Sequence, residues 1–549
     1  MPEPYVELPP TRHGTTPVAR ATLRRVNVAR HAPPSSPPRV RAWNAGLTAS
    51  PGTLDLDVPA HRVDGAVPDA LRGGRLLSNG PGWNVIGGVT VHPFDGHGYV
   101  RSFAFQRDGS VRVTARFVQT PSYRAESAAG RLVHRGLATN LDGPFYRNRP
   151  GGPPRHVANT TITRWNDRLL AGWEGGAPYA LDPHTLATRG EEHFGGALAG
   201  QATLAHMKWD ASPDRLITCS VKMGRDTGFT FREVDRSDRV VATATAQARG
   251  LRFVHDFALT PNWFVLGGNP LRVEPVALAK MFLGTSTLLR AVVTNYSAAP
   301  SLLLVPRGGG PMRAVRLPEA AWVVHFGGAF ERDGDVVVDA CVFDHLEFGE
   351  EFGYAGPRAP FDPARPEARG PQRLYRITVP ARATEARWER LSPHGVDFPR
   401  IHPAHEGRET PALFGATRRD TRFSDPFDAI VRVDLRDPAR PAALWSVPDN
   451  TFVGEPVFVP TGDSDTDGYV LVLVTHGLDQ RTSLCVLDAT AIDRAPSPPS
   501  RCPSCPSPST ATGTPPRPRR QNPPRNAHNQ AEPAKAPLGP TLRRAEPLS

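Results

Sequence analysis

Cysteine is scarce in this chain: five residues among 549, with no arrangement that would staple a small secreted domain. Three stand singly in apolar runs and are predicted to be small core residues. The other two, Cys502 and Cys505, form one CxxC pair without the second pair that a zinc site needs. Long apolar runs are also absent, so neither a membrane-spanning helix nor a secretory signal is predicted. These absences favour a cytoplasmic protein.

Net positive charge is absent from the body of the chain, although the whole carries a formal net charge of +11. Residues 1–45 contribute +5 and residues 494–549 contribute +7, which leaves −1 for the residues between them. A nucleic-acid interface needs concentrated basic charge on a structured surface, so no nucleic-acid partner is predicted. Both ends are rich in proline and arginine and bury little apolar surface. We therefore predict a disordered extension over 1–45, a folded domain over 46–493 and a disordered tail over 494–549; an organellar transit segment is an alternative for the first of these.

Helical periodicity is nearly absent from the folded domain, where short β-type runs alternate with turn signals. Examples are RLITCSV at 215–221, DVVVDACVF at 335–343 and YVLVLVTH at 469–476. So many strands exceed one sandwich and favour an all-β propeller, whose blades repeat around a central channel. Residues 275–293 are an exception, a mostly apolar stretch whose charged residues are Lys280 and Arg290.

Three histidines occupy similar positions near the ends of β-type runs: His206 in LAHMKWD, His255 in FVHDFAL and His325 in VVHFGGAF. A single histidine on an apolar strand is usually a core or turn residue. In a propeller, however, separate blades can direct strand ends toward one axis. Imidazoles that converge there would form a nitrogen-rich site suited to Fe(II), Zn(II) or Cu(II).

Several longer stretches resemble the carotenoid cleavage oxygenases, and they occur in the family's order. They are VDGAVPDALRGGRLLSNGPG at 63–82, HPFDGHGYV at 92–100, LLAGWEGGAPYALDPHTLATRG at 169–190, the three histidine motifs, and GEPVFVP at 454–460. The resemblance implies a seven-bladed β-propeller with a few short helices over the active-site face. It also implies Fe²⁺ on the propeller axis, held by four neutral histidines.

The resemblance assigns His206, His255 and His325 as three of the iron ligands. It places carboxylates behind three of the family's histidines, where each fixes the orientation of an imidazole. Glu174 and Glu455 match two of these carboxylates. Asp397 stands at the position of the remaining one, the second in chain order, which is usually glutamate, so we expect a slightly looser ligand there.

The family's fourth histidine lies near the C-terminus in a motif that this chain lacks. His476 matches an ordinary strand position, and His528 has no apolar or glycine context. The abrupt change of composition at about residue 494 predicts a frameshift or a replaced gene end. With it we expect the family's final strand to be missing, so that the last blade is incomplete. Two smaller departures, Ser78 and His97, are read as structural loop positions.

The resemblance implies oxidative cleavage by O2 of a conjugated carbon–carbon double bond, which is the reaction of a dioxygenase. Phe117 stands where stilbene-cleaving members use a tyrosine in the substrate tunnel, which favours a carotenoid or apocarotenoid. Residues 275–293 match an apolar patch that contacts membranes; a buried helix is the alternative. Two rival functions remain: an impaired relative that binds apolar ligands or serves as a scaffold, and an unrelated propeller.

Overall fold

A computed structural model describes residues 6–7, 20–24, 32–48, 52–151, 155–346, 353–354, 356–357, 359–362, 372–422, 426–462 and 464–496. All of them belong to one compact unit, Met1–Arg501. Helices are few and short within these residues: α1 Pro38–Thr48, α2 Pro121–Ala129, α3 Pro275–Leu283 and α4 Leu288–Ala291. None of them combines the length and the apolarity that crossing a membrane requires.

Antiparallel strands make up seven sheets in the described residues, apart from one small hairpin of β6 and β7. The first three sheets, blades 1 to 3, contain the following strands. Blade 1 has β1 Val6–Glu7, β3 Leu54–Val58, β4 Arg75–Ser78, β5 Pro81–Gly82, β8 His97–Phe105 and β9 Val111–Phe117, with the hairpin β6 Val85–Ile86 and β7 Val89–Thr90 beside it; blade 2 has β10 Thr161–Trp165, β11 Arg168–Gly172, β12 Tyr179–Leu181 and β13 Thr188–Glu191; blade 3 has β14 Lys208–Asp210, β15 Arg215–Lys222, β16 Thr227–Val234 and β17 Val240–Ala248.

The remaining four sheets, blades 4 to 7, follow in chain order except for one N-terminal strand. Blade 4 has β18 Arg252–Phe253, β19 Phe257–Leu259, β20 Trp263–Val273, β21 Val292–Thr294, β22 Ser301–Pro306 and β23 Arg313–Arg316; blade 5 has β24 Trp322–Arg332, β25 Asp335–Phe343, β26 Arg373–Val379 and β27 Arg387–Arg390; blade 6 has β28 Asp397–Arg400, β29 Ala412–Thr417, β30 Ala429–Asp434 and β31 Ala443–Ser446; blade 7 has β32 Thr451–Pro460, β33 Gly468–His476, β34 Arg481–Asp488 and, from the N-terminal part, β2 Arg20–Arg24.

The core of the molecule lies between the blades. Each pair of neighbouring blades shares one apolar cluster, and the clusters follow one another around the ring. Strand composition reflects this arrangement: β25 is buried on both faces, whereas the outer strand β17 alternates between buried and exposed residues. Cys219, Cys341 and Cys485 are buried in three of these clusters, as predicted for core cysteines.

The ring closes where blade 7 packs against blade 1. Leu76 and Phe103 of blade 1 share a cluster with Val457 and Leu471 of blade 7. The seven-bladed propeller predicted from the sequence is confirmed.

The expected incomplete last blade is not found. Strand β2 pairs antiparallel with β34, from Arg20 opposite Cys485 to Arg24 opposite Arg481. This pairing gives blade 7 four strands and satisfies backbone groups that would otherwise form an open sheet edge. An N-terminal strand therefore occupies the edge that we expected to stay unpaired.

The predicted domain boundary at residue 45 is also corrected. It falls inside α1, where Ala42 and Ala45 are buried. The description of all of 1–45 as disordered is therefore wrong for residues 32–45, because α1 docks on blade 7. The tail predicted over 494–549 lies outside the described residues beyond residue 496.

Candidate metal centre

Three consecutive blades each direct one histidine toward the propeller axis. His206 precedes β14 of blade 3, His255 lies between β18 and β19 of blade 4, and His325 lies on β24 of blade 5. Strand β24 runs between β19 and the first strand of blade 6, so residues on these strands face a common space. The propeller thus brings together side chains that are separated by 49 and 70 positions in the sequence.

The three imidazoles converge closely enough to share one ion. The Nε2 atoms of His206 and His255 lie 3.2 Å apart. One ring nitrogen from each of the three histidines lies within 4.8 Å of the others. His206 and His325 are buried and His255 is partly buried, so water has little access to the site. Within the described residues, these three histidines are the one group of His, Cys, Asp or Glu side chains placed closely enough to hold a metal.

A carboxylate stands behind each imidazole. Glu174 accepts from Nδ1 of His255, and Asp397 Oδ1 lies 2.5 Å from Nδ1 of His325. These contacts place the proton on Nδ1 and leave the Nε2 lone pair facing the axis. Asp256 Oδ1 lies 3.6 Å from Nδ1 of His206, which is longer than a hydrogen bond. The sequence analysis did not single out Asp256, although it directly follows His255.

β-Bulges shape the inner strands at this site. The register slips by one residue between Val323 and His325, between Asp397 and Arg400, and between Val453 and Pro456. An extra residue bends a strand and redirects its side chains. At the second bulge Phe398 adopts a positive φ of 53°, and Asp397 reaches His325 at 2.5 Å. The shorter aspartate side chain therefore makes a short contact where we expected a looser one.

Glu455 is a fourth carboxylate beside the triad, and its partner is an arginine. It forms an ion pair with Arg400, and both side chains lie with His325 around a small polar pocket. Lys208 lies 3.4 Å from Asp256 in the same pocket. Together, the four carboxylates Glu174, Asp256, Asp397 and Glu455 and these two cations carry a formal charge of −2 beside the neutral triad. This charge matches a divalent cation.

Burial and charge favour neutral imidazole and ionised carboxylate at this site. Burial lowers the pKa of His325 below its ordinary value, although Asp397 opposes the shift. Burial disfavours ionisation of Asp256, yet the Lys208 ammonium and the backbone N–H of Phe326 hold its pKa at about 2. Neutral imidazole is the form that coordinates a metal.

The residues present fit a ferrous or similar divalent ion. Nε2 of His325 is buried and has no hydrogen-bond partner among the described residues, which is costly for a polar atom unless an ion or water engages it. Imidazole nitrogen is a ligand common to iron, zinc, copper and nickel. His206, His255 and His325 would hold the ion.

A large apolar cavity of about 470 Å³ opens beside the triad. His255 and His325 line it, together with eight aromatic side chains from α1 and six of the seven blades. These are Trp43, Phe94, Trp173, Phe253, Phe343, Phe398, Phe427 and Phe452. A cavity of this volume and polarity suits an apolar organic ligand.

Comparison with known proteins identifies the family. The family described as retinal pigment epithelial membrane protein matches residues 50–502. Apocarotenoid-15,15'-oxygenase of Synechocystis sp. is 31% identical over 476 residues, which cover 84% of this chain and 94% of that protein. This chain belongs to the carotenoid cleavage oxygenase family.

Other members of the family differ in their named reactions. Carotenoid cleavage dioxygenase 7 of Oryza sativa subsp. japonica is 31% identical over 79% of this chain and 84% of that protein. Isoeugenol monooxygenase of Pseudomonas putida is 28% identical over 82% of this chain and 93% of that protein. A solved structure of cobalt-substituted Synechocystis apocarotenoid oxygenase matches with a TM-score of 0.75 and 30% identity, over 83% of this chain and 94% of that one. Membership therefore identifies an oxygenase family and leaves the substrate of this chain open.

Phe117 does not line the described cavity, although the sequence predicted it to line the substrate tunnel. Its ring stacks on Tyr123 at 4.9 Å and lies 4.8 Å from Tyr99, within a buried aromatic cluster of blade 1. The alternation of β9 turns Phe117 into this cluster. It therefore gives no support to a choice between carotenoid and stilbene.

Two other departures from the family's motifs have structural roles. Ser78 accepts a hydrogen bond of 3.0 Å from Arg101. His97 is fully buried, and its Nε2 lies 2.8 Å from Glu126 Oε2. His476, which was not expected to be a ligand, lies on β33 with its Nε2 3.1 Å from Ser483 Oγ, and His528 is outside the described residues.

Proposed function

We propose that this protein is an Fe(II)-dependent dioxygenase that cleaves a conjugated carbon–carbon double bond of a carotenoid or apocarotenoid. The observation that carries this proposal is the meeting of three imidazoles with a large apolar cavity. The overall reaction breaks one C=C bond and puts one atom of O2 on each carbon, which gives two carbonyl products. Both oxygen atoms are consumed, so no external reductant is needed.

The chain's own residues prepare the site for this reaction. Glu174 and Asp397 hold the Nδ1 protons of His255 and His325, which fixes both rings and directs their Nε2 atoms to one point. Ferrous iron, when bound at such a site, supplies the activation of dioxygen. The apolar wall binds the polyene and keeps water from the reacting bond. The proposed chemistry needs no side chain as general base.

Similarity to the apocarotenoid oxygenase and to the carotenoid cleavage dioxygenase supports this substrate class. The test is anaerobic reconstitution of the full chain with Fe(II), followed by exposure to an apocarotenoid and ¹⁸O2. We expect near-stoichiometric iron and label in both carbonyl products. A His255→Ala variant should lose both signals. Iron bound in equal amount by the variant would reject the triad as the metal centre.

A second candidate function is an impaired relative that binds apolar ligands without turnover. The Arg400–Glu455 ion pair favours it, because the fourth carboxylate holds a cation instead of an imidazole. The same experiment separates the two candidates. If the unaltered protein binds the apocarotenoid but holds no more iron than the His255→Ala variant, the second candidate is favoured.

We also propose that α3 brings the protein to a membrane surface. Helix α3 contains one buried residue, Met281, so the alternative of a buried helix is wrong. Its Phe282 and Leu283 are 57% and 54% exposed, and the neighbouring Phe145 and Tyr146 are 50% and 59% exposed. Exposed apolar side chains in such a patch favour contact with an apolar partner.

A liposome sedimentation assay tests this contact. Replacing Phe282 and Leu283 by aspartate should reduce binding to phosphatidylcholine vesicles, because the charges cannot enter the acyl boundary. The exposed Leu478, on the turn after β33, provides a matched control as Leu478→Asp. Unchanged binding of the double variant would reject the membrane contact.

A further inference from the structure

Helix α1 contributes one face to the wall of the large cavity. Trp43, Gly46 and Leu47 line the cavity, and their spacing of three and four residues places them on the same side of the helix. Ala42 and Ala45 are buried on the adjacent side. A segment that reads as a disordered extension in the sequence thus forms part of the ligand-binding surface.

Blade 7 provides a seat in which the backbone of α1 lies very close to the propeller. A Cβ atom at Gly477 would overlap the backbone carbonyl of Ala42. A Cβ atom at Gly46 would lie 3.0 Å from Cγ2 of Thr475. Glycine at both positions allows this approach, which any larger side chain would disturb.

Polar and aromatic contacts fix α1 at this seat. Asn84 donates from Nδ2 to the carbonyl of Leu47 at 2.9 Å. This carbonyl is in the last turn of the helix, where no backbone N–H of the helix itself can reach it. Arg39 donates to the carbonyl of Pro426 at 3.3 Å. The ring of Trp43 meets that of Phe452 edge to face, with centroids 4.9 Å apart. Both Pro426 and Phe452 line the cavity as well, so the anchoring contacts and the cavity wall share residues.

Helix α1 lies across the propeller axis from His206 and His255, which belong to blades 3 and 4. Asp344 and His345 of blade 5 line the cavity and are exposed to solvent. Together with Leu471 and Leu473 of blade 7, α1 forms the part of the wall that lies three blades away from both blade 3 and blade 4. An apolar chain that extends from the triad across the propeller axis therefore meets α1.

We propose that α1 is the end wall of the substrate cavity and that Trp43 and Leu47 limit the length of the apolar chain beyond the metal centre. They are specificity-determining residues for linear conjugated ligands. The inference takes only the class of ligand from the proposed function. An end wall limits binding, so its effect requires neither iron nor turnover.

The test measures binding of conjugated polyene aldehydes that differ by one isoprene unit to the full-length, metal-free protein. Replacing Trp43 by alanine should shift the ratio of affinities toward the longer aldehyde by roughly tenfold or more, the scale of methylene discrimination in apolar pockets. Trp43→Phe should give a smaller shift. Gly477→Ala, which unseats α1 without altering the lining side chains, should shift the ratio in the same direction as Trp43→Ala.

The control is Trp209→Ala on the surface of blade 3, where the side chain is 38% exposed. It should leave the ratio unchanged, and circular dichroism should show the same fold in all variants. Binding with an unaltered length preference in Trp43→Ala and Gly477→Ala would overturn the end wall while leaving the proposed function intact. Failure of the unaltered protein to bind any aldehyde of the series would overturn the proposed ligand class and the inference with it.

Discussion

The contact between Asp397 and His325 predicts a measurable change in metal affinity. Both side chains are nearly buried, and Oδ1 lies 2.5 Å from Nδ1. The backbone N–H of Phe398 also donates to Oδ1, at 2.8 Å. Replacing Asp397 by asparagine keeps the size of the side chain and an oxygen acceptor but removes the negative charge. The bond to His325 then loses its charge-assisted character, which roughly halves its strength.

Loss of a carboxylate behind a metal-binding histidine typically weakens metal affinity by about 10- to 100-fold. This range corresponds to roughly 1.4 to 2.8 kcal/mol of binding free energy. We expect Asp397→Asn in the upper half of it, because the low exposure of the pair limits screening by water. The assay is anaerobic titration with Co(II) against a competing chelator, followed by the absorbance of the bound ion.

Asp344 offers a matched control for this substitution. It lines the same cavity, but it is exposed and forms an ion pair with Arg373 at 2.6 Å. Asp344→Asn should leave the Co(II) affinity unchanged within twofold. An affinity of Asp397→Asn within twofold of the unaltered protein would refute the role of this carboxylate. Equal losses of Co(II) affinity in Asp397→Asn and Asp344→Asn would mean that the total negative charge of the cavity causes the effect, and not the contact with His325.

Three further outcomes are expected. Burial lowers the pKa of His97 to about 4, so between pH 6.5 and 4 the unfolded chain binds a proton that the folded chain does not bind. The free energy of unfolding should therefore fall by about 3 kcal/mol as the pH is lowered across this window. Urea unfolding at each pH measures this fall, which should be less steep in His97→Gln. Phe231 is fully buried and stacks on Phe264 at 4.2 Å, so Phe231→Ala should cost about 3 to 5 kcal/mol in the same assay, and a loss below 1 kcal/mol would contradict the packing described. Arg400→Gln leaves Glu455 without its ion-pair partner beside the triad and should change the Co(II) absorbance spectrum, whereas an identical spectrum would separate the ion pair from the metal centre.

Much of the fold follows from the sequence because strand patterns are local. The run DVVVDACVF predicts β25, which is found at Asp335–Phe343. The closing strand β2 carries no comparable signal, since RATLR is short, charged at both ends and surrounded by proline-rich sequence. Its pairing depends on the free edge of β34, which exists only once the rest of blade 7 has formed.

The candidate site shows the same division. The three histidines can be found from their matching strand-end contexts, and Glu174 and Asp397 from the resemblance to the family. The contacts of Asp256 and Arg400 are invisible in the sequence, because β-bulges decide which way the inner strands direct their side chains. The placement of Phe117 fails for a related reason: the matched position fixes its strand but not which aromatic cluster receives its ring.

Helix α1 has a further physical consequence for the cavity. At eleven residues it is shorter than the length at which an isolated helix becomes stable in water, about 12 to 15 residues. Its first turn contains no acidic residue that would favour the helix dipole. Docking against Gly477 and Phe452 must therefore provide most of its stability. An element whose stability depends on docking opens locally at lower free energy than a central strand. The amides of α1 should consequently exchange with solvent before those of β33, and the wall of the cavity that it forms is the part of the site closest to local unfolding.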